Sequence, residues 1–146
     1  MRFRQAARTV VVALLLGLAL SACASEAATE EAGGSDIATV EPIAGTGVAR
    51  VTLSEEAAHR LDIHTASVRT SNGHTTIPYA AVLYDPAGDT WTFTNPEPLV
   101  FVRAPIDVIS ISGERALLSS GPAPGTDVVT VGAAELLGTE YEVGGE

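Results

Sequence analysis

The sequence of 146 residues has no lysine, one cysteine and one tryptophan, and aromatic side chains make up only 5% of it. A single cysteine excludes any disulfide within the chain. All eight basic residues are arginines, set against 18 aspartates and glutamates, for a formal charge of −10. That balance argues against nucleic acid as a partner, because phosphate binding needs a clustered basic face. The plain reading of the charge is an acidic surface that keeps an exported protein soluble. No Gly-x-Ser-x-Gly elbow is present. His59, His64 and His74, the three histidines, lack zinc-type spacing. Neither an enzymatic activity nor a cofactor is expected.

What is there fits one folded domain, since 46% of residues are apolar and 18% charged, enough for a packed core at this length. Ahead of it, Arg2, Arg4 and Arg8 form a basic segment before the unbroken apolar run Val10 to Leu20, eleven residues long. Such a run is too short to span a hydrocarbon core of about 30 Å as a helix, and it fits an export signal. The signal, residues 1–22, ends at Leu20-Ser21-Ala22-Cys23, which resembles a bacterial lipobox. The resemblance implies that Cys23 is lipidated and becomes the new N-terminus. The other reading is a plain secretory signal cut near Ala22-Cys23 or Ala24-Ser25, which leaves an idle thiol. After removal of 1–22, five Arg face 18 acids, a formal charge of −13.

Residues 23–46 are mostly Ala, Glu, Gly, Ser and Thr. Such a segment buries too little surface to offset its ordering entropy, and it reads as a flexible, disordered tether. Its Glu26, Glu30, Glu31, Asp36 and Glu41 are repelled by an anionic membrane surface, which helps to keep it extended.

The domain is expected over 47–143. Gly47 to Leu53 reads as a strand. Ser54 follows as an N-cap, with Glu55 and Glu56 in the first turn of a short helix to Leu61. Ile63 to Arg69 is the next strand, and Asn72-Gly73 centres a turn. Ile77 to Asp85 and Thr90 to Thr94 form a hairpin, with Trp91 and Phe93 on a buried face and Thr90, Thr92 and Thr94 on a wet one. Strands follow at Leu99 to Arg103, Ile106 to Ile111, Ala116 to Leu118 and Asp127 to Val131. The fold class is mainly β: a small antiparallel barrel or sandwich of about seven strands with one short helix.

The order of these pieces resembles the membrane-proximal part of the periplasmic adaptor (membrane fusion protein) family of bacterial efflux pumps. The residues that carry the resemblance are Pro78, Ala81 to Asp85, Trp91, Phe93, Phe101 to Pro105, Gly121, Gly125, Asp127 to Val129 and Gly132 to Leu136. Gly121-Pro-Ala-Pro-Gly125 departs from the pattern by lacking the usual Leu. The opening segment, Val51-Thr-Leu-Ser-Glu-Glu-Ala to Val68, is similar to the family's opening. Between the two, family members carry a long insertion with a helical hairpin. Here a link of six residues, Thr70 to Thr75, stands in its place.

The resemblance implies a truncated, adaptor-like lipoprotein of the cell envelope. It would be anchored on the outer face of the plasma membrane, dock on a multi-pass export permease and catalyse nothing. An edge strand left open by the missing insertion is a natural docking surface. Pro96, Pro98, Leu99, Pro122 and Pro124 are further candidate contacts. The alternative is a stand-alone envelope lipoprotein that binds a small ligand or a metal ion, with His59, His64 and Asp62 as weak metal candidates. A degenerate adaptor fragment without a role is the third reading. Asp85 and Asp89 are expected to bond backbone N–H groups at the hairpin turn, and Arg103 to pair with Asp107 on the rim of the sheet.

Overall fold

The computed structural model describes residues 37–144; the signal segment 1–22, Cys23 and the tether up to residue 36 lie outside the described residues. The fold is mainly β and its strands form two antiparallel sheets. The first sheet runs in the order β1 (Ala38–Pro42), β2 (Ala49–Leu53), β8 (Val100–Pro105), β7 (Thr90–Glu97), β11 (Asp127–Val131), β3 (His64–Ser67), with β6 (Leu83–Tyr84) paired to β7. The second runs β4 (Arg69–Ser71), β5 (His74–Pro78), β10 (Arg115–Ser120), β9 (Asp107–Ser112). Helix α1 (Glu55–Arg60) follows β2, and α2 (Ala133–Gly144) follows β11.

Eleven strands are present among the described residues, because runs that read as single strands pass between sheets. The run Ile63 to Arg69 divides at Val68, with β3 in the first sheet and β4 in the second. The run Ile77 to Asp85 is broken by a 3-10 turn at Tyr79–Ala81. What remains of the expected hairpin is short but in place, with Leu83 opposite Trp91 and Tyr84 opposite Thr90.

Two further expectations are corrected. Part of the 23–46 tether is a strand: β1 pairs with β2 from Ala38 opposite Leu53 to Pro42 opposite Ala49. Its own side chains bury little, so it is held by a ladder of backbone bonds to β2 and by packing against α2. The domain therefore begins before residue 47. A second helix, α2, packs on the domain where the sequence predicts only one short helix.

The core has two parts, one on each face of the first sheet. Val128 and Val129 are both fully buried, and successive strand residues point to opposite faces. Val129 joins Val51, Leu53, Phe93 and Phe101 beneath α1 and α2, where Ala57 and Leu136 close the cluster. Val128 joins Ile77, Ile106, Ala116 and Leu118 against the second sheet. Covered on both sides, β7 has no wet face at its centre. Thr92, expected to meet water, has no exposed surface, and its hydroxyl lacks a hydrogen-bond partner among the described residues.

Local chemistry explains the joints. The Ser54 hydroxyl accepts the Ala57 N–H at 3.1 Å and caps α1 as its sequence predicts. Asn72 and Gly73 both take positive φ, 52° and 78°, the conformation of the tight turn that closes β4 onto β5. Gly132, at φ 86°, steers the chain from β11 into α2, and a Cβ there would overlap Ile63 Cδ1. No other residue type meets both demands.

Candidate functional site

The proline loops fall on separate parts of the fold. Pro96 lies near the end of β7 and Pro98 and Leu99 form the turn from β7 to β8, whereas Pro122 and Pro124 lie in the connection from β10 to β11. Pro96, Pro98 and Pro124 are exposed; Leu99 and Pro122 are half-buried. Leu99 holds φ 64°, a strained angle for a residue with a Cβ. Two sets of bonds hold it there. Asn95 Nδ2 donates to Glu97 O at 2.7 Å and Val100 O at 2.8 Å, and Leu99 O accepts the Leu53 N–H at 3.0 Å.

A more open surface lies at the end of the second sheet. Strand β9 pairs only with β10, so its outer row of N–H and C=O groups is unpaired within the sheet. Ile109 is 51% and Ile111 43% exposed. A register shift falls between the Val108–Leu118 and Ser110–Leu117 pairs, so Ile109 is the bulged residue. No charged residue or proline interrupts Val108 to Ser112. The other end of that sheet, β4, has three residues, and β1 ends in Glu41 and Pro42. Sequence reading missed this site because strict alternation points Ile109 to the core, and a bulge leaves no mark in the sequence.

The candidate metal residues are brought only partly together. His64 Nε2 lies 3.1 Å from Asp62 Oδ1, with both side chains largely exposed. His59 and Asp62 share a shallow groove of about 380 Å³ with Asn95 and Leu99. Among the described residues, no three His, Cys, Asp or Glu side chains converge as a metal site requires.

The rim pair expected between Arg103 and Asp107 does not form. The chain changes sheets between them, where the Ile106 N–H donates to Thr90 O at 3.0 Å, so Asp107 opens β9 in the other sheet. Arg103 instead turns beneath α2 and meets Glu140, with Nε 3.0 Å from Oε2 and Nη2 donating to Oε1 at 3.3 Å. The shorter contact is a close ion pair without hydrogen-bond alignment. Oε1 also accepts the Ala49 N–H at 2.9 Å, and Arg103 Nη1 donates to the Tyr141 hydroxyl at 3.2 Å. The guanidinium lies 4.3 Å from the centre of the Trp91 ring, within cation–π range. The cluster is sealed under α2 and clamps it to the first sheet, which is a structural task.

Asp85 does what the sequence predicts. Its Oδ1 accepts the N–H groups of Ala87 and Asp89, both at 2.9 Å, and its Oδ2 accepts the Trp91 indole N–H at 3.1 Å. Partial desolvation pushes the carboxyl upward, but the Asp89 N–H, the indole and the other turn amides outweigh it and hold the group below its usual 3.8. A depressed carboxylate stabilises the fold above its unfolded-state pKa and ceases to as pH falls through the folded one. Asp85→Asn is therefore expected to lower the thermal midpoint at neutral pH. Melts followed by circular dichroism should show the gap from wild type closing as the medium is acidified below the carboxylate range.

The described residues thus define a two-sheet antiparallel β domain with helices on one face and an open, apolar edge at β9. Among them, no helix is long and apolar enough to cross a membrane. No protein-family model matches the chain, and no curated protein or solved structure is similar to it beyond the level expected by chance.

Proposed function

We propose that this chain is a lipid-anchored, truncated adaptor-like accessory protein, held through Cys23 on the outer face of the plasma membrane, that docks on a multi-pass export permease without catalysing a reaction. The observation that carries this reading is the β9 edge. It presents an unpaired backbone row and two exposed isoleucines in a chain whose surface is otherwise strongly acidic. A strand or apolar ridge of a partner can bury both features at once. The joining of the two adaptor-like segments adds support. Strand β2 pairs with β8, β3 pairs with β11, and the Asn72-Gly73 turn closes β4 on β5. These pairings bring both segments into shared sheets, as the reading requires of so short a link.

Extraction of the full chain in mild detergent at its native expression level tests the reading. A multi-pass permease is expected to co-purify. Recovery of the chain only as a free monomer would overturn the docking role.

A further inference from the structure

We propose that a second surface, the groove where the chain passes from the first sheet to the second, is a binding site for a small organic anion with a carboxylate head on an apolar body. The groove encloses about 660 Å³, within the range of about 300–1,000 Å³ typical of small-molecule sites. Ala66 of β3, Pro78 of β5 and Tyr79 give it an apolar lining, Ile77 turns its own side chain into the core behind the wall, and Arg69 and Arg115 line the groove as well.

Strand register puts the two arginines on one face. Arg69 sits opposite Thr76 and Arg115 opposite Pro78, two residues along the same strand. Their Cα atoms are separated by two strand spacings and two residues, about 12 Å on the diagonal, a span that two long side chains can close on one head group. Five arginines fall among the described residues. Arg60 is held by Glu56 and Arg103 by Glu140. Arg50, on β2 of the first sheet, and Arg69 and Arg115 at the groove have no carboxylate within 4.0 Å among the described residues. In a chain with a formal charge of −10, two unengaged guanidiniums beside one apolar floor form a local positive site. Their planar forks match a carboxylate.

The wall is preorganised as well. The Tyr79 N–H donates to Glu114 O at 2.8 Å and fixes the Gly113–Arg115 turn against the 3-10 segment. The Glu114 side chain is exposed at the rim, where it opposes an incoming anion. The overall negative charge disfavours approach to an extended anionic membrane far more than to a single small anion, so the occupant is a soluble molecule. This site is separate from the β9 edge, and its failure would leave the docking role standing.

Naphthoate, titrated into the purified full chain and followed by amide resonance shifts, tests the proposal. Its neutral isostere naphthalenemethanol and anionic phosphatidylglycerol vesicles serve as comparison arms. Naphthoate is expected to shift Ala66, Thr76, Tyr79 and Arg115 and to bind more weakly as salt is added. Arg69→Gln and Arg115→Gln, which keep the side-chain stem, should each weaken it by about tenfold, and Glu114→Gln should tighten it. Unchanged melting curves would show that these exposed substitutions leave the fold intact. Equal binding of the neutral isostere would overturn the proposal, as would shifts elsewhere or affinity indifferent to both arginines. Arginine-dependent binding to the vesicles, with none to naphthoate, would assign the groove to lipid and overturn it too.

Discussion

Glu140→Ala is expected to destabilise the domain by about 3–5 kcal/mol, the usual cost of removing one partner from a buried ion pair. Arg103 and Glu140 are 6% and 4% exposed. Loss of the carboxylate leaves a charged guanidinium under α2 with only the Tyr141 hydroxyl, the Gly47 carbonyl at 3.5 Å and aromatic faces around it. The Ala49 N–H loses its acceptor at the same time. Domains of this size hold only about 5–15 kcal/mol in total, so the variant should unfold at much lower urea. The same reasoning gives the control. The double variant Arg103→Met with Glu140→Leu removes both charges and should recover most of the loss. The two single effects should therefore be far from additive. A cost below about 1 kcal/mol for Glu140→Ala, the value of an exposed pair, would show that α2 does not seal the cluster.

Phe93→Ala should cost about as much, 3–5 kcal/mol, for a different reason. Phe93 is fully buried on β7, an inner strand of the first sheet, and belongs to the cluster that both helices cover. Truncation removes its transfer energy and leaves a cavity that flanking Val51, Phe101 and Leu136 can only partly refill. Tyr84→Ala, at a side chain 53% exposed, should change stability by no more than about 0.5 kcal/mol. Urea unfolding with an unchanged slope would separate lost packing from a changed denatured state.

Features set by neighbours in sequence were legible before the structure. Ser54 followed by Glu55 and Glu56 marks the start of α1, Asn72-Gly73 marks a tight turn, and Asp85 ahead of Gly88-Asp89 marks a side-chain-bonded loop. What escaped depends on distant partners. Strand β1 has a tether-like composition and exists because β2 offers it a ladder. Helix α2 carries Ala133, Leu136, Leu137, Glu140 and Tyr141 at helical spacing, but the inward position that reads as polar is Glu140, and only Arg103 makes it a core residue. The Arg103–Asp107 pair failed because spacing along a chain cannot reveal where a strand leaves its sheet. For the candidate sites the same rule holds. The proline loops could be located from sequence, whereas the bulge that exposes Ile109 and the register that gathers Arg69 and Arg115 could not. The proposed docking role rests on the edge at β9.

That surface can be blocked without disturbing the core, since Ile109 and Ile111 are both substantially exposed. The most direct measurement is recovery of a permease with the full chain carrying Ile109→Lys and Ile111→Lys, charges of the kind that protect edge strands. The variant should melt within about 0.5 kcal/mol of wild type and lose the permease. A variant that stays folded and still brings down the same permease would contradict docking through β9.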